Sequence, residues 1–311
     1  MKELIIISGK GGTGKTSITG SFAALAAERA VMVDCDVDAA DLHLILSPSI
    51  RQRNPFIGGK KARIISGRCI ACGKCEELCR FDAIYFDGPG NGRVPRTFRV
   101  DHAACEGCGV CAHFCAEHAI EFTTVKSGQW FVSETRFGPM VHAQLDVAAE
   151  NSGKLVTILR QAAQKVAAEQ QRELILCDGA PGIGCSVIAS LTGADLAMFV
   201  VEPTPSGIHD FVRVARLAHQ LEVPGLLVIN KVDLSHSEAT TLQQVATQQN
   251  IPLVGRIPYD MAVVQAQLEA RTIVEARTGP AAEALRSIWN TVEQHLVNAA
   301  SVSTGPPTPA P

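Results

Sequence analysis

Leu4-Ile5-Ile6-Ile7-Ser8-Gly9-Lys10-Gly11-Gly12-Thr13-Gly14-Lys15-Thr16 stands near the start of the chain and decides how the rest is read. Its first four residues form an apolar, mostly β-branched run, the mark of a strand buried in a parallel sheet. A glycine-rich loop follows, and Lys15 to Arg29 is alanine-rich and reads as a helix. Residues 9–16 match G-x4-G-K-[ST] in the strand–loop–helix context that this motif requires. Gly11, Gly12, Thr13 and Gly14 bring backbone N–H groups around phosphate oxygens, and the helix start, with Thr16 and Ser17, adds partial positive charge. Lys15 is placed to reach the β- and γ-phosphates, and the Thr16 hydroxyl to bind Mg²⁺.

The same alternation continues outward. Ala30 to Asp34 reads as the next strand. Later come a helix over Leu155–Gln170 and strands at Leu174–Cys177 and Leu196–Val201. Ile208–Gln220 reads as a helix, Leu226–Ile229 as a strand, Glu238–Gln249 as a helix and Val254–Ile257 as a strand. Strands alternating with helices of this size imply βαβ units, hence an α/β fold with a mostly parallel sheet covered by helices on both faces. Leu285, Ile288, Trp289, Val292 and Leu296 fall at helical spacing, which predicts a helix packed on the core. Its polar face lacks the Lys/Arg enrichment of a membrane-surface helix.

The 311 residues are long for one core. The 46% apolar and 19% charged content fits a packed globular protein. A net charge of −3 and 5% aromatics point away from nucleic acid. No signal peptide and no apolar run of bilayer length stand out, so a cytoplasmic protein without membrane partners is expected. Eleven cysteines in that compartment argue for metal ligation.

Eight of them form two copies of C-x2-C-x2-C-x3-C: Cys69, Cys72, Cys75, Cys79, and Cys105, Cys108, Cys111, Cys115. The repeat extends to Gly73 and Gly109 and to Ala83-Ile84 and Ala119-Ile120 at one constant offset. This is the spacing of bacterial two-cluster ferredoxins, in which the fourth cysteine of each run ligates the other cluster. It assigns Cys69, Cys72, Cys75 and Cys115 to one [4Fe–4S] cluster, and Cys105, Cys108, Cys111 and Cys79 to a second. Two four-cysteine zinc sites are the alternative, although four cysteines within eleven residues are close for zinc pairs. The proline that usually follows the fourth cysteine is replaced by Arg80 and Ala116. Expected domains are therefore 1–58 with 126–299 for the nucleotide-binding part, 59–125 for a small inserted ferredoxin-like α+β domain, and 300–311 for a polar, proline-rich disordered tail.

K-G-G-x-G-K-[ST], with its early Lys10, resembles the deviant Walker A loop of the MinD/ParA/Mrp class of P-loop ATPases. In that class two subunits sandwich two nucleotides, and the early lysine reaches the other subunit's nucleotide. The resemblance implies ATP, a homodimer or a heterodimer with a similar ATPase, and catalytic roles for Lys10, Lys15 and Asp36. Val33-Asp34-Cys35-Asp36 is similar to the first switch of the class, where the residue matching Asp36 orients the attacking water; Asp34 or Asp38 equally suits a capping role. Leu176 to Gly182 resembles Walker B plus the second switch, placing Asp178 in the Mg²⁺ shell. Asn230, in Asn230-Lys231-Val232-Asp233, sits where the class contacts adenine, although the same string resembles the guanine-reading motif of GTPases; ATP is favoured. Ile257-Pro258-Tyr259-Asp260 is also common near the base.

Other stretches, Phe56–Lys61, Glu150–Val156 and Glu202–Gly207, resemble MinD-like ATPases carrying an inserted ferredoxin domain. Such proteins go under names such as nucleotide-binding iron–sulfur protein or cobyrinic acid a,c-diamide synthase-like. The resemblance covers residues 1 to 280 and implies a redox or metal-cofactor assembly partner. The rival reading is a positioning ATPase with structural clusters. Cys185 follows the second switch, where a thiol could sense or ligate something at a dimer interface, and the nitrogenase iron protein, a relative in the wider class, holds a cluster between subunits with cysteines; a small buried apolar role suits Cys185 as well. Cys35 and Cys177 read as core.

Overall fold

The computed structural model describes residues 1–146, 152–276 and 278–301. In chain order the strands are β1 (Lys2–Ser8), β2 (Ala30–Asp34), β3 (Ser49–Ile64), β4 (Ile84–Gly88), β5 (Thr97–Val100) and β6 (Ile120–Thr135). Then come β7 (Gly138–Leu145), β8 (Leu174–Pro181), β9 (Leu196–Val201), β10 (Gly225–Asn230) and β11 (Leu253–Ile257). The helices are α1 (Lys15–Ala26), α2 (Leu42–Leu46), α3 (Lys74–Glu77), α4 (Val110–His113), α5 (Ser152–Glu169) and α6 (Cys185–Leu191). They continue with α7 (Pro205–Gln220), α8 (His236–Gln248), α9 (Met261–Leu268), α10 (Ile273–Ala276) and α11 (Pro280–Ser301). The described chain forms two units. The first takes in Met1–Asn54, Trp130–Gln144 and the chain from Ser152; the second takes in Pro55–Gln129 with residues 145–146. The second unit is wider at both ends than the 59–125 expected, and its limits fall inside β3 and β6.

The sheet runs in the order β11-β10-β9-β1-β8-β2-β7-β6-β3. From β11 to β7 neighbouring strands pair in parallel. Leu4 to Ile7 are fully buried, as a central strand covered on both faces demands. Leu4 and Ile6 join a core with Phe22 of α1 and with Leu285, Ile288, Trp289 and Val292 of α11. The Phe22 and Trp289 rings meet at 4.9 Å. The C-terminal helix thus packs on the core, and no described helix is long and apolar enough to cross a membrane. On the other side Phe199 of β9 meets Phe211 of α7 edge-on at 5.5 Å. Here Glu3 and Arg160 form a buried bidentate pair at 2.6 and 2.8 Å, and Arg160 also donates to the Ala189 and Thr192 carbonyls, so neither charge is stranded. Cys35 and Cys177 are fully buried.

Helix starts follow local chemistry. Thr204 accepts from the Gly207 N–H and Pro205 takes the first turn, so α7 begins three residues before the apolar periodicity does. Ser235 caps α8 in the same way. Of the expected tail 300–311, residues from 302 onward lie outside the described residues, and α11 runs to Ser301. Glu150 and Asn151, part of the stretch before α5, also lie outside them.

The second unit contains an antiparallel pair, β4 and β5, and the two short helices α3 and α4. The cysteine repeat is also a backbone repeat. Gly73 and Gly109 start α3 and α4 in the left-handed region, at φ 78° and 76°. Ala71 pairs with Gly107 and Asp82 with His118, all at positive φ.

Candidate functional site

β1 delivers the phosphate loop to the carboxyl end of the sheet, where open α/β sheets bind their ligands. A cleft of about 530 Å³ lies there, walled by the loop, by Asp36 and by the segment from Ile257 to Gln267. Gly12 and Gly14 take φ values of 76° and 92° that non-glycine residues avoid. A side chain on Gly14 would also collide with the Asn230 amide. Gly11 and Gly12 are exposed, Lys15 is buried, and Thr13 is buried with its hydroxyl unpartnered. Thr16 is near enough to Asp178 to favour the ionised form of its carboxyl. The Ser17 hydroxyl accepts from Gln267 at 2.7 Å.

The acidic residues gather around Lys15. Asp178, at 1% exposure, accepts from Thr19 at 3.1 Å, while its second oxygen is buried without a partner. Burial pushes the Asp178 carboxyl up, against Lys15, Thr16 and Thr19, which favour its ionised form. Burial and the neighbouring Asp178 push Asp34 well up. Asp34 accepts from the N–H groups of Asp36 and Leu42, both at 3.2 Å, so it braces the segment before α2, as the capping alternative foresaw. Asp38 is exposed. Burial raises Asp36 to about 6, with Lys15 opposing and Asp178 and Asp38 adding to the rise. This acidic pocket, in which Asp34, Asp36 and Asp178 outnumber Lys15 and one Asp178 oxygen is orphaned, fits Mg²⁺ held by Thr16 and Asp178 with nucleotide phosphates as further ligands.

Asn230 is more constrained than its expected adenine role suggests. Its amide donates to the Thr13 carbonyl at 2.7 Å and its oxygen accepts from Lys231 N–H at 3.0 Å. It lines the cleft and also ties the loop down. Asp233 accepts from the Tyr259 N–H at 2.7 Å, which engages the carboxylate a GTPase would spend on guanine. Lys10 and Lys231 both reach Glu202, at 3.1 and 2.6 Å, a residue that sequence reasoning quoted without a role.

In the second unit the eight repeated cysteines fall into two cavities. Cys69, Cys72, Cys75 and Cys115 line one of about 50 Å³; Cys79, Cys105, Cys108 and Cys111 line one of about 20 Å³. The fourth cysteine of each run therefore faces the other run's cavity. The N–H groups of Ala71, Ala83 and Ala119 donate to the sulfurs of Cys69, Cys79 and Cys115 at 3.4, 3.4 and 3.3 Å. Burial pushes the Cys75 thiol up to about 11, and Cys69 and Cys111 add to the rise. Among the described residues no three His, Cys, Asp or Glu side chains close on one point as a single-ion site would. Two braces were not legible in sequence. Asn91, within a turn-rich stretch, donates to the Ser66 and Cys69 carbonyls at 2.6 and 2.7 Å. Lys61 donates to the Cys105 carbonyl. Arg80 is exposed, and Cys185 is exposed at the start of α6.

MJ0578 of Methanocaldococcus jannaschii is 35% identical over 236 residues, covering 75% of this chain and 79% of that protein. The septum site-determining protein MinD of Bacillus subtilis is 21% identical, covering 92% and 87%. Among solved structures, MinD of Pyrococcus horikoshii with Mg-ADP superposes with a TM-score of 0.58 at 17% identity, over 94% of this chain and 96% of that one, a likeness of fold. The profile of the CobQ/CobB/MinD/ParA nucleotide binding domain matches residues 4–273. With its phosphate loop, buried Lys15 and Asp178 and parallel sheet, the chain belongs to that CobQ/CobB/MinD/ParA family of P-loop ATPases.

Proposed function

We propose that the protein is a Mg²⁺-dependent ATPase whose nucleotide state governs a two-cluster, ferredoxin-like module serving electron transfer or cluster assembly for a partner. The observation that carries this reading is the four-and-four division of the cysteines between two cavities, in the interlocked sets their spacing predicts. Thiols spread around a cavity favour a cluster over a single zinc ion, and the N–H donors to sulfur suit either metal. Bound [4Fe–4S] clusters supply one-electron chemistry, and their positive iron offsets the cost of ionising crowded thiols such as Cys75.

In the ATPase unit the loop N–H groups and Lys15 hold the phosphates, and Asp178 with Thr16 holds Mg²⁺. Asp36 lines the cleft beside Lys15 and orients the attacking water. The sandwich dimer implied by Lys10, with a second copy or a similar subunit, completes the site. The ionised form of Asp36 is the one that accepts from water, so kcat/KM should fall as pH drops through about 6. A profile flat down to pH 5 would assign the water to another group.

The deciding measurement is made on protein purified without oxygen. It should hold about eight iron and eight sulfide per chain. Their reduction potentials should differ between ADP and a non-hydrolysable ATP analogue; coupling of about 1–3 kcal/mol changes nucleotide affinity on reduction roughly 5- to 150-fold. Colourless protein with zinc would sink the cluster reading. Clusters indifferent to nucleotide would leave the positioning ATPase with structural clusters.

A further inference from the structure

Strands β10, β9 and β1 are neighbours in that order, and each is followed at the nucleotide end by a charged residue. Lys231 follows Asn230, Glu202 follows Val201, and Lys10 stands two residues after Ser8. The strand order thus places one carboxylate between two ammonium groups. The Lys231 Nζ lies 2.6 Å from one Glu202 oxygen and the Lys10 Nζ 3.1 Å from the other. Lys231 also reaches the Gly12 carbonyl at 3.4 Å. The Glu202 side chain is only 12% exposed. Its backbone is held as well, since its carbonyl accepts from Thr204 N–H at 2.8 Å and a side chain on Gly207 would strike it.

We propose that Glu202 is a positioning residue that holds Lys10 on its own chain's phosphate loop, so that Lys10 reaches a second copy's nucleotide only when this pair opens. The proposal rests on the sandwich-dimer reading above. Lys231 is what lets the pair open. A buried carboxylate stripped of its only cation is costly, but when Lys10 leaves, Lys231 still neutralises Glu202. Burial would raise the Glu202 carboxyl; its hydrogen bonds from Lys231 and Lys10 outweigh that and hold it below the usual carboxylate range, in keeping with a double pairing. Without nucleotide the clamp keeps Lys10 in place. Bound phosphates of a facing subunit offer Lys10 a better acceptor, and the exchange ties dimer formation to nucleotide.

The test is sedimentation of the full chain with a non-hydrolysable ATP analogue, read as the protein concentration at which half is dimeric. Glu202→Gln frees Lys10 and should lower that concentration roughly 5- to 30-fold, the effect of one or two kcal/mol. Lys231→Ala leaves Lys10 as the sole partner of a buried carboxylate and should raise it by a similar factor. The double variant Glu202→Gln/Lys231→Ala should dimerise like Glu202→Gln, a rescue that a merely structural role would not give. A wild-type protein that dimerises with the analogue beside a Glu202→Gln protein that dimerises equally or more weakly overturns the clamp alone. A wild-type protein that stays monomeric with the analogue overturns the sandwich and the clamp together.

Discussion

Replacing Lys15 with alanine should weaken Mg-ATP binding roughly 10- to 150-fold, the value of a lost hydrogen bond to a charged group, and slow turnover by about 10²–10³ more, the usual cost of removing a transition-state donor. Lys15 is buried at 5% exposure, where a point charge counts for more than at the surface. It is also the cation that opposes the upward push of burial on both Asp36 and Asp178. The variant should therefore show a second signature: the acid limb of any residual activity moves above the midpoint of about 6 expected for the wild type, because Asp36 loses the charge that favours its ionisation. Calorimetry with Mg-ATP gives the first quantity and a pH profile the second. Undiminished affinity would mean that the loop binds its ligand without this lysine.

Serine at Cys79 should remove about four of eight irons per chain, and the loss should fall on the site of the other run. Cys79 lines the cavity of Cys105, Cys108 and Cys111, whereas Cys115 lines that of Cys69, Cys72 and Cys75. Cys79→Ser and Cys105→Ser should therefore leave the same residual paramagnetic spectrum on reduction, and combining them should remove no more iron than either alone. Cys115→Ser should match Cys69→Ser instead. Were Cys79→Ser to leave the spectrum of Cys69→Ser, each run would hold its own cluster and the interlocked assignment would be wrong.

The parallel core was legible because its strands are buried on both faces and read as apolar runs: β1, β2, β8, β9 and β10 all fall where the sequence places them, within a few residues at their ends. The sheet beyond β2 was not legible. β3 is an edge strand with Arg51, Arg53, Lys60, Lys61 and Arg63 along it, a composition that blunts an edge and erases any apolar signal. β6 is similarly polar over much of its length. The phosphate loop and the cysteine spacing declare themselves because their partners are close in sequence or fixed by a motif. Glu202, Asn91 and the Asn230–Thr13 tie act across distances no local pattern encodes; the last spans 217 residues.

The position of β1 has a consequence for synthesis. β1, the earliest of the described strands, lies in the middle of the parallel run β11-β10-β9-β1-β8-β2-β7, yet its two neighbours, β8 and β9, begin only at Leu174 and Leu196. At about 5–20 residues per second, Leu4 to Ile7 wait on the order of ten to thirty seconds before either side is paired. The residues of the second unit from Pro55 to Gln129, contiguous and earlier, are translated within that interval. The cysteine-bearing stretch is therefore complete on the nascent chain while the strand that leads into the phosphate loop still lacks both its neighbours.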